Sequence, residues 1–193
     1  MKRFYIYLLA ITYWSCHEDY VPKPTAFLRL EYPVPNYSEV DFNELPFTFE
    51  TNALAEDIKV KTLRTSIESY GLNVEYSALK GTIFLTYKAV EHSKKNLSSF
   101  TEDAQKLTLE HTKKADEIPF YPYQNDDRKV YGLLSEVKGN VASPAQFYIT
   151  DSINHFLTAS LYFNTKPNYD SILPAAQYLQ DDMKRIMETI KWK

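Results

Sequence analysis

Ser143-Pro144-Ala145-Gln146-Phe147-Tyr148-Ile149-Thr150-Asp151-Ser152-Ile153-Asn154-His155-Phe156-Leu157-Thr158-Ala159-Ser160-Leu161-Tyr162-Phe163-Asn164 decides the fold of this chain. Gln146, Tyr148 and Thr150 alternate with Phe147 and Ile149. Beyond residues 150–154, Leu157, Ala159, Leu161 and Phe163 share one face, opposite Thr158, Ser160 and Tyr162. This period of two predicts paired strands with one face buried and the other at least partly wet. The intervening Asp151 and Asn154 supply turn chemistry, because their side chains bond the local backbone and tolerate unusual φ. Thr165-Lys166-Pro167-Asn168-Tyr169-Asp170 stops the second strand. A helix then follows that can fold back over the apolar face.

That helix is read from Ser171 to Ile190, with Ile172, Ala176, Leu179, Met183, Ile186 and Ile190 as its stripe. Asp170 or Ser171 can cap it, Pro174 is placed in its first turn, and Lys191 and Lys193 suit its negative end. A second helix is read from Leu97 to Ile118, since Leu97, Phe100, Ala104, Leu107, His111, Ala115 and Ile118 recur at steps of three and four. Ser98 or Ser99 can cap it. Pro119, Pro122 and the Asn125-Asp126-Asp127 turn separate it from a strand over residues 130–137, which Lys138-Gly139-Asn140 ends.

Upstream, Gly81 to Lys88 alternates, with Ile83, Leu85 and Tyr87 on one side and Phe84 on the other. Short strands are read over residues 26–32 and 47–50. Between 51 and 80 the pattern gives strands around a short irregular excursion. Several strands, a central helix and a C-terminal helix make an α+β domain: an antiparallel sheet packed by two helices.

The N-terminus has a different character. Lys2 and Arg3 precede an uncharged apolar run from Phe4 to Trp14, too short to cross a bilayer core of roughly 30 Å as a helix. It fits the apolar part of a secretory leader. Cys16, the only cysteine of the 193 residues, follows at once and cannot form an internal disulfide. Its position resembles a bacterial lipoprotein signal, in which this cysteine becomes the acylated first residue. Tyr13-Trp14-Ser15 keeps only the small residue of the usual box, and an unmodified cysteine behind an ordinary leader is the alternative. The organisation expected is therefore a leader over residues 1–15, a proline-bearing tether over 16–25 and one α+β domain over 26–193. Removing the leader takes away Lys2 and Arg3 and moves the net charge from −3 to −5. Neither value gives a basic footprint for nucleic acid.

Chemistry-bearing patterns are sparse. Asp151, Ser152 and His155 have the side chains of a Ser-His-Asp triad, yet three such residues within one turn read first as turn-formers. His17, His92, His111 and His155 have neither a second His nor a Cys at ligand spacing, so no metal or cofactor is expected. His111 and His155 are read as hydrogen-bonded core or edge histidines. Asp181-Asp182 and Glu102-Asp103 are read as solvated helix faces.

Longer strings carry a resemblance. The Cys16 leader, Asp19-Tyr20-Val21-Pro22-Lys23-Pro24, Leu28-Arg29-Leu30-Glu31-Tyr32-Pro33, Thr82-Ile83-Phe84-Leu85-Thr86-Tyr87-Lys88, His111-Thr112-Lys113-Lys114-Ala115-Asp116, Phe147-Tyr148-Ile149-Thr150-Asp151-Ser152 and Thr165-Lys166-Pro167-Asn168-Tyr169-Asp170 resemble the gliding motility lipoprotein GldD family of Bacteroidota. The resemblance implies a membrane-anchored, non-enzymatic component needed for gliding and for the associated type IX secretion machinery. Its partners would be other envelope proteins of that apparatus, and its place the cell envelope, facing the periplasm or at the outer membrane. Only Cys16, as the lipid attachment site, carries over by position. The second half is also loosely similar in pattern to the Mog1/PsbP-like α/β/α sandwich. Tyr148, Tyr162 and Tyr169 are candidate docking residues, since tyrosine supplies much contact area at modest entropy cost. Two other classes stay open: a small-ligand-binding lipoprotein with a pocket between sheet and helix, and an envelope hydrolase using Ser152 and His155.

Overall fold

The computed structural model describes residues 32–110, 114–165 and 169–193. Cys16, the 16–25 tether and His111 lie outside these, as does the strand read over 26–32, apart from Tyr32, which is in no strand. In chain order the elements are β1 (Tyr37–Val40), β2 (Phe47–Asn52), β3 (Asp57–Thr62), β4 (Ser69–Tyr76), β5 (Gly81–Ala89), α1 (Lys94–Leu109), β6 (Ala115–Glu117), β7 (Phe120–Asn125), β8 (Val130–Glu136), β9 (Lys138–Gly139), β10 (Ala145–Thr150), β11 (His155–Phe163), α2 (Tyr169–Thr189) and β12 (Lys191–Trp192).

Seven strands form one antiparallel sheet in the order β3-β4-β5-β11-β10-β8-β7, with the quoted hairpin at its centre. Phe147 pairs with Ala159 and Ile149 with Leu157, so the alternating apolar side chains reach the same face. There they meet Ile83 and Leu85 of β5, Leu72 and Val74 of β4, and Leu179, Met183 and Ile186 of α2. A smaller sheet, β1-β2-β12, adds Phe47 and Phe49 to this core. The order of layers is thus α1, the large sheet, then α2 with the small sheet. Two glycines permit the close approaches. A Cβ on Gly132 would run into the carbonyl oxygen of Tyr148 on β10, and one on Gly81 would meet Leu179 of α2.

The hairpin and β5 follow the sequence reading, and the 51–80 region resolves into β3, β4 and one 3-10 turn at Ser77–Leu79, with no α-helix. Several boundaries differ, and one strand was missed. α1 begins at Lys94, because Ser93 rather than Ser98 or Ser99 caps it, its side chain accepting from Asn96 N at 3.2 Å. It ends at Leu109: Ala115 belongs to β6, which pairs with β9, so the stripe ran past the helix by coincidence of spacing. Residues 120–125, read as a turn region, form the edge strand β7, where Pro122 is tolerated since an edge leaves one side unpaired. α2 begins at Tyr169, which places Asp170 and Ser171 inside the helix and Pro174 in its second turn. Lys191 and Lys193 serve β12 instead of capping: their ammonium groups pair with Glu39 at 2.9 Å and Asp41 at 2.7 Å.

Candidate functional site

The hairpin turn contains the three residues with the side chains of a hydrolytic triad. Asp151 Oδ1 accepts from the backbone N–H of Ile153, Asn154 and His155, at 2.9, 2.8 and 2.8 Å. That carboxylate is a turn-former. Ser152 takes the left-handed conformation, φ 68°, and its N–H donates to Thr150 Oγ1. His155 projects toward the core side, where its Nδ1 is 3.0 Å from Tyr87 Oη and its ring stacks on Trp192. Burial lowers the histidine's pKa, against the nearby charges of Asp151 and Glu68. Burial also raises that of Tyr87. Tyr87 and the neutral imidazole share this one hydrogen bond, whose direction follows the histidine tautomer. The arrangement holds a hairpin; it does not aim a base at Ser152.

Asp182 corrects the sequence reading. It is 1% exposed, while Asp181 beside it is solvated. Its carboxylate accepts from Tyr37 Oη at 2.7 Å and from Asn52 Nδ2, 3.1 Å to each oxygen. Asn52 Nδ2 also donates to Tyr178 Oη at 2.9 Å, and Tyr178 Oη donates to the carbonyl of Pro33 at 3.0 Å. The buried hydroxyl of Tyr76 lies against the same group. Desolvation raises the pKa of Asp182, though the hydrogen bonds from Tyr37 and Asn52 counter it. Beside this cluster Arg185 reaches Glu50 with two N–H groups, at 2.9 and 2.6 Å. The spacing carried the signal: Asp182 stands three residues after Leu179 and four before Ile186, within the buried stripe. The cluster ties β1, β2 and residues 32–33 to α2.

The feature with binding capacity is a cavity of about 240 Å³ between α1 and the outer face of the large sheet. Its roof includes Ala104, Leu107 and Thr108 of α1. Its floor includes Ser135, Gln146 and Ser160, which stand in one cross-strand row because Gln146 pairs with both serines. Leu133, Tyr148 and Phe120 line the sides, and among the described residues no charged side chain does. Gln146 is 3% exposed; its Oε1 accepts from Thr108 Oγ1 at 2.8 Å, while its Nε2 has no partner. A buried amide donor left unmade costs about 1–3 kcal/mol. The alternation of β10 put Gln146 on the wet face, and α1 then covered it. Tyr148 is turned into this cavity and stacks on Phe156 at 5.8 Å. Tyr162 meets Phe84 edge-on at 5.8 Å on the part of the outer face beyond α1, where Phe84 is 40% exposed.

Among the described residues no group of three His, Cys, Asp or Glu is placed to hold a metal ion, and no helix is long and apolar enough to cross a membrane. The family model for the gliding motility lipoprotein GldD matches residues 17–192. The chain belongs to that family, a lipid-anchored class of envelope protein with a role in gliding motility. Neither a curated protein nor a solved structure matches it.

Proposed function

We propose that this chain is a non-catalytic assembly or stabilising component of the gliding apparatus and of the associated type IX secretion machinery, held at a membrane by acylation of Cys16. Membership of the GldD family supports the setting. The observation that carries the non-catalytic reading is the turn itself, where Asp151 is committed to three backbone N–H groups and His155 to Tyr87 and Trp192. Docking would use the open outer face around Phe84 and Tyr162, where aromatic area is available without unfolding anything. The stable attachment such a role needs exceeds what a single acyl chain provides, and a diacylglyceryl, N-acylated cysteine meets that requirement.

Deletion and complementation test the role. Loss of spreading and of secreted cargo, both restored by the wild-type chain and by Ser152→Ala, is the expected result. Normal spreading and secretion without the protein would reject it, as would an abundant Ser152→Ala protein that fails to complement. Mass analysis of the mature N-terminus checks Cys16; an intact Met1 or a free thiol rules the anchor out.

One observation favours a second reading, a small-ligand-binding envelope lipoprotein: the uncharged cavity under α1 with its unpaired Gln146 donor.

A further inference from the structure

We propose that the cavity under α1 takes a neutral acyl ester, with the ester carbonyl accepting a hydrogen bond from Gln146 Nε2 and the alkyl chain filling the space beneath Ala104 and Leu107. This rests on the ligand-binding reading and names its ligand class.

Size sets the first limit. A dry apolar cavity of about 150 Å³ holds benzene, six carbon atoms. At that density 240 Å³ holds about ten non-hydrogen atoms. The lining sets the second. Leu107, Leu133 and Phe120 suit hydrocarbon, and Leu107 and Phe120 remain partly exposed at α1 and at the sheet edge, so the apolar surface continues to solvent. Polarity sets the third. Among the described lining residues, the buried donor without a partner is the Gln146 amide N–H, which calls for an acceptor oxygen on the ligand. Thr108 Oγ1 donates to Oε1 and so leaves the amide N–H as the unpaired end. Charge sets the last. With no cation among the described lining residues, a carboxylate would enter unpaired, a cost far above one hydrogen bond. A carbonyl without charge, on a chain of eight or so carbons, meets all four conditions. Such acyl carbonyls occur both in membrane lipid and in the anchor proposed on Cys16.

The test uses the intact acylated protein in a steroid detergent that has no alkyl chain. Methyl octanoate, sodium octanoate at pH 8 and naphthalene are titrated against the wild type, Ala104→Trp and Gln146→Leu. Naphthalene has ten carbons and no carbonyl, and therefore reports the cavity alone. The wild type should bind naphthalene and methyl octanoate, and octanoate at least tenfold more weakly than its ester. Gln146→Leu should weaken methyl octanoate about tenfold and leave naphthalene unchanged, and Ala104→Trp should lose both. Leu107→Trp replaces Ala104→Trp if the latter does not fold. If naphthalene binds but Gln146→Leu leaves the ester affinity intact, the cavity is a binding site and the acyl ester assignment falls. If neither probe binds to the acylated wild type or to its Cys16→Ser form, or if both survive in the two filled variants, the ligand-binding reading falls with it. A Cys16→Ser form separates the two sources. Ester binding by that form alone assigns the occupant to the protein's own anchor, whereas equal binding by both forms assigns it to lipid of the surrounding membrane.

Discussion

The imidazole of His155 lies flat against the indole of Trp192, ring centroids 4.9 Å apart and planes within 4°. This contact joins the central hairpin to the last strand, nearly forty residues later. Trp192 is further fixed by its Nε1–H donating to Lys129 O at 3.2 Å and by an edge contact with Phe47. Trp192→Ala should therefore lower stability by about 2–3 kcal/mol, read as the shift in a urea unfolding midpoint at constant slope.

The same pair has a pH signature. Burial holds the folded-state pKa of His155 below its ordinary value near 6.5, so the unfolded chain takes up the proton first. Its contribution to stability is complete above about pH 6.5 and is lost as the pH falls below that. Urea midpoints measured from pH 7.5 to 5 should decline, and His155→Gln should flatten that part of the decline. An identical slope in the variant would remove His155 as the cause.

Asp182 works in the opposite sense. Its folded-state pKa is raised, so the folded chain holds a proton where the unfolded one has released it, and this group favours folding more as the pH drops toward its own pKa. Asp182→Ala strands Asn52 and the Tyr37 hydroxyl and should cost about 3 kcal/mol at neutral pH. Asp182→Asn keeps most of the packing and removes the charge; it should cost markedly less. Equal losses in the two variants would mean that the hydrogen bonds matter little.

Gly132→Ala places a methyl group into the Tyr148 carbonyl of the neighbouring strand. Backbone must separate there, and a loss of more than about 3 kcal/mol is expected, against about 1 kcal/mol or less for an exposed strand glycine.

Ser152 offers a gain. At φ 68° a residue with a Cβ is strained, and Ser152→Gly should raise the melting temperature by a few degrees, about 1 kcal/mol. Neither that variant nor Ser152→Ala should impair gliding.

What could be read from sequence was whatever one local period decides. The hairpin and β5 alternate cleanly, and their buried faces came out as expected. β7 escaped because Pro119 and Pro122 read as breakers, although an edge strand tolerates proline. α1 was overextended because an apolar stripe does not say where the backbone turns; the pairing of Ala115 with Gly139 does, and that is a tertiary fact. Asp182 was legible in principle from its place between Leu179 and Ile186, but its neighbour Asp181 made the pair look solvated. The cavity depends on how α1 sits over Gln146, and no residue spacing contains that.

The fixing of Pro33 by Tyr178 has a consequence for the whole particle. The chain leaves the packed body on the flank of α2, with Tyr32 resting on the Tyr178 ring at 5.1 Å, while the cavity lies across the large sheet on the other flank. Residues 32–33 and the hollow of the molecule therefore stand on opposite sides of the large sheet, so a tether drawn from the one leaves the other facing away from it.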